Sequence, residues 1–161
     1  SGYTPEQSAN GLFLIYFSLL ISFLSWGYLV PKISKNVSDA IRLLKFGAPL
    51  NLIVLAFIIY LGPKAGAYHW AFFAVSSVFL SLTQPAVGMA FSLSNAGKAL
   101  TSFNLLLFIG AFALQWIIGV IIDLTMNLGY SEISGFRFAM IFFLLTSFFS
   151  YLFFLIRNYK N

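Results

Sequence analysis

The sequence predicts an all-α protein: a polytopic bundle of five transmembrane helices, with its N-terminus outside and its C-terminus cytoplasmic. Three observations carry that expectation. The 161-residue chain is 60% hydrophobic and 19% aromatic but only 8% charged, against about 25% charged residues in an ordinary soluble domain. Its twenty phenylalanines exceed what the interior of a soluble domain of this size can cover, so lipid must solvate many of them. The charged residues fall between five long apolar runs, and each run must be helical because an isolated strand leaves its backbone unsatisfied in hydrocarbon. Cysteine is absent, which excludes disulfides, thiolate chemistry and cysteine-based metal sites.

The spans follow in order. A polar segment through Asn10 leads into the first, residues 11–30, which ends before Pro31. A basic stretch, PKISKNVSDAIRLLK, separates it from a shorter second span, residues 46–61. Within that stretch, residues 38–45 have the pattern of a short amphipathic helix, with Asp39 near its start and Arg42 and Lys45 near its end, as the helix dipole favours. After the turn Gly62-Pro63-Lys64-Ala65-Gly66 comes a long third span, residues 68–93, with Pro85 expected to kink it. The fourth, residues 99–122, starts from a polar turn around Lys98 and is stopped by Asp123. The loop NLGYSEISGF leads to the fifth, residues 138–156. The chain starts Ser1-Gly2-Tyr3 without an initiator methionine or a signal peptide, and reads as a piece of a longer membrane protein.

Basic residues set the expected orientation. With the C-terminus inside, Lys32, Lys35, Arg42, Lys45, Lys98, Arg157 and Lys160 are cytoplasmic, and only Lys64 and Arg137 of the nine basic residues lie outside. Tyr3, Tyr68, Trp70 and Tyr130 then fall near the outer interface, and Trp26, Tyr28 and Tyr159 near the inner one, as aromatic belts require. The net charge of +5 is thereby accounted for as topology, and no nucleic-acid groove is expected.

Polar residues within the spans sort the helices. On the fourth span Asn104, Phe108, Ala111, Gln115, Gly119 and Asp123 recur on one face. On the third, Ser77, Ser81, Gln84 and Gly88 do so, and on the first, Ser18, Ser22 and Ser25. The second and fifth spans are poorer in polar groups, so the first, third and fourth are expected inside the bundle and the other two at its edge. Gly110 and Gly119 are expected to let helices approach closely.

The segment SLTQPAVGMAFSLSNAGKALTSFNLLLFIGAFALQWIIGVIIDL resembles the tenth and eleventh helices of a bacterial major facilitator superfamily transporter. The matching features are Gln84-Pro85, the turn from Asn95 to Leu100, Asn104, Gly110, and the run Gln115, Gly119, Asp123. The start, GYTPEQSANGLFLIY, is similar to the outer loop leading into the eighth helix of that family. The resemblance covers the whole chain as the last five of twelve helices. In place of the family's Gly-x-x-x-Asp-Arg type motif, Gly27-Tyr28-Leu29-Val30-Pro31-Lys32 has the glycine and a base but no acid.

The resemblance implies part of a secondary active transporter of the bacterial inner membrane. It would move a small polar metabolite by alternating access, coupled to an ion or proton gradient, together with the missing N-terminal half of the same transporter. Gln84, Gln115 and Ser81, then Ser77 and Asn104, are the candidates for solute contact, since amides both donate and accept and suit an uncharged or zwitterionic solute. The competing reading of each is interhelical hydrogen bonding worth about 0.6 kcal/mol. Asp123 is the candidate gate or proton site, against an interfacial carboxylate facing Arg137. No cofactor or metal is expected: His69 stands at a helix start without acidic or histidine neighbours, and no Ser/His or paired-aspartate constellation for an intramembrane enzyme is present. A non-transporting membrane scaffold or accessory subunit is the alternative.

Overall fold

The computed structural model describes residues 3–158; Tyr159 and Lys160, expected at the inner interface, lie outside the described residues. All regular structure among the described residues is helical: α1 (Pro5–Ile33), α2 (Val37–Leu61), α3 (Ala67–Ser77), α4 (Thr83–Ala90), α5 (Leu93–Asn127) and α6 (Glu132–Arg157), with 3₁₀ turns at Gly62–Lys64 and Val78–Leu82. Five helical segments are long and apolar enough to cross a membrane, α3 and α4 together making one of them. The protein is therefore a multi-pass membrane helix bundle. It divides into two compact units, one up to Met89 and one from Ala90.

Local chemistry explains where the helices begin. Thr4 caps α1 by accepting from the Gln7 amide at 3.2 Å while the Gln7 side chain accepts from the Thr4 amide at 3.0 Å, a reciprocal capping box followed by Pro5 at the first helical position. Polar capping thus starts the helix six residues before the apolar span. At its other end α1 continues through Pro31 to Ile33. The expected stop at Val30 fails because a proline in the last turn removes only the bond to Gly27, whose carbonyl is at the exposed helix end. Asn36 caps α2 through the Asp39 amide at 2.9 Å. The amphipathic segment 38–45 is consequently the opening of α2, continuous with the second span, and is no separate helix.

In the first unit α1 and α3 run parallel and α2 runs antiparallel to both. Gly11 lies against Ala67 at one end, where a Cβ would come within 3.2 Å of the alanine Cβ, and Trp26 meets Phe79 edge-to-face at 4.8 Å further along. From α2, Gly47 takes the other side of Phe79: a Cβ there would overlap the root of the phenylalanine side chain. Val54, Ile58 and Ala65 form the buried cluster towards the opposite end, with Leu61, Trp70 and Phe73 packed around it. The expectation that the second span is peripheral is overturned. α2 buries Ala40, Leu44, Gly47, Asn51, Val54, Leu55 and Ile58, whereas α1 buries no residue. The cause is that α2 presents its small and aliphatic residues to α3 and the 3₁₀ segment after it, while Ser22 of α1 turns to its own backbone (the Ser18 carbonyl, 2.7 Å).

The second unit is an antiparallel helical hairpin. α5 begins at Leu93, so the expected polar turn from Asn95 to Leu100 is helical, with Ser92 accepting the Asn95 and Ala96 amides on its carbonyl at 2.8 Å. Its 35 residues correspond to about 52 Å, well beyond the hydrocarbon thickness of about 30 Å. α5 ends in a Schellman motif: Gly129 has φ +85°, its amide bonds the Met126 carbonyl at 2.9 Å, and Tyr130 bonds that of Thr125 at 3.2 Å. Ser131 immediately caps α6 through the Ser134 amide, which shortens the expected loop to four residues. Gly135 then sits against the Ile122 backbone, where a Cβ would approach Cα and O at 3.3 Å. Ala139, one turn on, is fully buried. Gly110 and Gly119 do not serve close packing as expected, because a Cβ at either meets open space.

Gly47→Ala is expected to destabilise the protein by about 1–3 kcal/mol, the usual cost of overpacking a filled site. Gly110→Ala and Gly119→Ala should be neutral or stabilising by about 0.5–1 kcal/mol through helix propensity. Unfolding titrations of the three variants in detergent micelles check the contrast.

Candidate functional site

Three of the sequence candidates lie on the interrupted third span and three on α5. Pro85 removes the amide that would bond the Ser81 carbonyl, and the backbone before it tightens into the 3₁₀ segment Val78–Leu82. The expected kink takes this form. In a 3₁₀ segment residues i and i+3 eclipse, so the stripe Ser77, Ser81, Gln84 drawn on a regular helix is turned out of register.

The hydroxyls of this segment follow the same geometry. Ser76 donates to the Phe73 carbonyl at 2.8 Å, Ser77 to Ala74 at 2.7 Å, Ser81 to Val78 at 2.7 Å and Thr83 to Leu80 at 2.7 Å. Each proton goes three residues back into the helix. Ser77 and Ser81, both half-buried, therefore keep only acceptor lone pairs for any other group. Gln84 is exposed.

A polar contact the sequence did not flag links α2 to α3. Asn51 donates through Nδ2 to Ser76 Oγ at 2.9 Å and to the Phe73 carbonyl at 3.2 Å, and both residues are buried. This closed triangle is a lock between helices, since its donors are used within the protein. Asn51 stands among aliphatic residues and must find a partner wherever it is covered. Its partner, Ser76, carries no distinguishing signal beside Ser77.

On α5, Gln115 is exposed, Asn104 is half-buried and Asp123 is exposed near the C-terminal end. Asp123 and Arg137 are both exposed and form no ion pair, which corrects the expected facing pair. α6 covers the side of α5 that carries Ile122 and Thr125, the latter buried with its hydroxyl on the Ile121 carbonyl. The polar face through Phe108, Ala111 and Gln115 is open.

His69 acts as a local cap. Its Nδ1 accepts the Gly66 amide at 3.1 Å, and its ring lies 6.1 Å from that of Phe57. Among the described residues no group of three or more His, Cys, Asp or Glu side chains comes together to hold a metal. The cavity of about 400 Å³ between α2 and α3, lined by residues including Ile53, Phe57, Tyr68, His69 and Phe72, is apolar and contains none of the candidate residues. Its lining suits hydrocarbon, with the His69 ring and the Tyr68 hydroxyl the polar groups among the lining side chains.

No family model, curated protein or solved structure matches the chain.

Asn51→Ala and Ser76→Ala are each expected to lower stability, with a coupling of about 0.6 kcal/mol and at most about 1.7 kcal/mol between them. A double-mutant cycle from unfolding titrations in detergent measures it, and a coupling of zero would show that the triangle holds nothing together.

Proposed function

We propose that the chain is part of a secondary active transporter of the bacterial inner membrane, a major facilitator superfamily member contributing helices from its C-terminal half. Its solute is a small polar, uncharged or zwitterionic metabolite carried by alternating access, driven by an ion or proton gradient. The observation that supports this reading is the open polar face of α5. Gln115 is exposed on an uninterrupted helix, about 12 Å along the axis from Asp123. Lipid at that depth offers an amide no hydrogen bond. Such a face requires either water, as in a transport cavity, or more protein.

The chemistry available fits the proposed solute. Gln115 offers a donor and an acceptor, while Ser77 and Ser81 offer acceptors alone, so a solute bearing N–H or O–H groups matches the set better than a bare anion. No charged residue sits deep within a span; the four acidic residues are Glu6, Asp39, Asp123 and Glu132. A proton-coupling carboxylate would then come from the partner half, with Asp123 as gate.

The absence of cysteine makes the decisive experiment direct. In the full-length protein in membranes, with any cysteine outside this chain replaced, Gln115→Cys should react with a membrane-impermeant maleimide, while Leu106→Cys and Ala113→Cys, on the opposite face of the helix, should stay unlabelled. Equal protection of all three would favour the scaffold reading, in which protein covers the stripe. In proteoliposomes, Gln115→Leu and Gln84→Leu should each lower uptake about tenfold, the worth of one hydrogen bond at a binding site. Undiminished uptake by the double variant would remove both from the site. The 161-residue chain alone should show no uptake, because alternating access needs two halves.

A further inference from the structure

The corner between α1 and α2 gathers basic side chains, of which Lys32, Lys35 and Arg42 play no part in the proposed transport. Lys32, Lys35, Arg42 and Lys45 fall around the three-residue link Ser34–Asn36. Lys32, Lys35 and Arg42 are exposed. Asp39 is the one acid in the corner, and its Oδ2 accepts the Lys35 amide at 3.0 Å. It forms no ion pair with Lys32, Lys35 or Arg42, and with four bases to one acid the corner keeps a net positive charge. Lys32 is held over the Tyr28 ring, 3.6 Å from its centroid, one turn back on α1, which fixes its ammonium at the end of the apolar helix.

Exposed apolar side chains accompany these cations: Ile33, next to Lys32 in the chain, at 46%, and Phe46, one turn of α2 beyond Arg42, at 76%. Cations next to uncovered hydrocarbon, at the end of two membrane-spanning helices, match a molecule with a phosphate at one end and acyl chains at the other. We propose that the α1–α2 corner is a binding surface for an anionic phospholipid, its phosphate held by Lys32, Lys35 and Arg42 and its acyl chains lying along Ile33 and Phe46. The occupant is the lipid and not free phosphate, because half of the surface is apolar and an inorganic anion would leave it uncovered.

The test uses spin-labelled phosphatidylglycerol and spin-labelled phosphatidylcholine, each present with the reconstituted full-length protein, reading the fraction of lipid immobilised at the protein surface. Phosphatidylglycerol should be favoured about fivefold, the effect of one surface cation. The preference should shrink between 20 mM and 1 M salt in the unmodified protein, which needs no variant to fold. Lys32→Gln/Lys35→Gln/Arg42→Gln together should abolish it, Lys32→Arg/Lys35→Arg should keep it, and Lys64→Gln/Arg137→Gln, which lies outside the corner, should leave it unchanged. Equal immobilisation of the two lipids, a preference surviving in the triple Gln variant, or displacement of the labelled lipid by inorganic phosphate would overturn the proposal. Lipid preference is read without solute, so these outcomes are independent of whether the protein transports.

Discussion

Pro85 has no amide proton, and the third span is built around that gap. The carbonyl of Ser81 loses its partner, the preceding turn tightens into a 3₁₀ segment, and four hydroxyls between Ser76 and Thr83 turn back onto carbonyls three residues behind them. Tightening also sets the direction of Phe79, which lies inside the 3₁₀ segment between Trp26 of α1 and Gly47 of α2. Only glycine at position 47 leaves room for the ring, so the break in one helix is matched by the missing side chain of another. Asn51 secures the junction one turn along α2 by bonding the Phe73 carbonyl and Ser76.

The second unit solves its packing differently. A positive φ at Gly129 closes α5 and a serine opens α6 two residues later, so the hairpin needs only four connecting residues. The reversal places Gly135 against the Ile122 backbone and Ala139 fully inside the contact. Small residues four apart are what membrane helices need when no hydrophobic force draws them together and only close packing remains. This contact leaves Phe108, Ala111 and Gln115 of α5 exposed, and the proposed solute path depends on that exposure.

Much of the site was legible because polar residues in hydrocarbon announce themselves. Gln115 and Asn104 stand out in a run without charge, and the helical period puts them on one face whatever the neighbours do. Ser77 and Ser81 were legible as polar but not as donors already committed to their own backbone, because a helical serine can bond either its own carbonyls or another group and only the structure shows which. Gly110 and Gly119 were conspicuous yet meet open space, while Gly47 and Gly135 carry the close contacts. A glycine shows that two helices can approach, and only the partner's position shows that they do. The same applies to α2: its aliphatic sequence suits lipid and protein equally, and the packing against the interrupted helix made it the most buried of its unit.

The sequence alone determined the class, the number of spans and the positions of the basic boundaries, since these follow from apolar length and charge, which the bilayer reads residue by residue. It also determined the caps at Thr4, Asn36 and Ser131, whose hydrogen bonds reach no further than three residues. The tertiary structure decided which helix is buried, which serine Asn51 bonds, which glycines are in contact, and that Ile33 and Phe46 at the α1–α2 corner stay exposed. Each of these joins residues from separate helices or from the two sides of a turn. No local pattern along the chain can fix the distance between them.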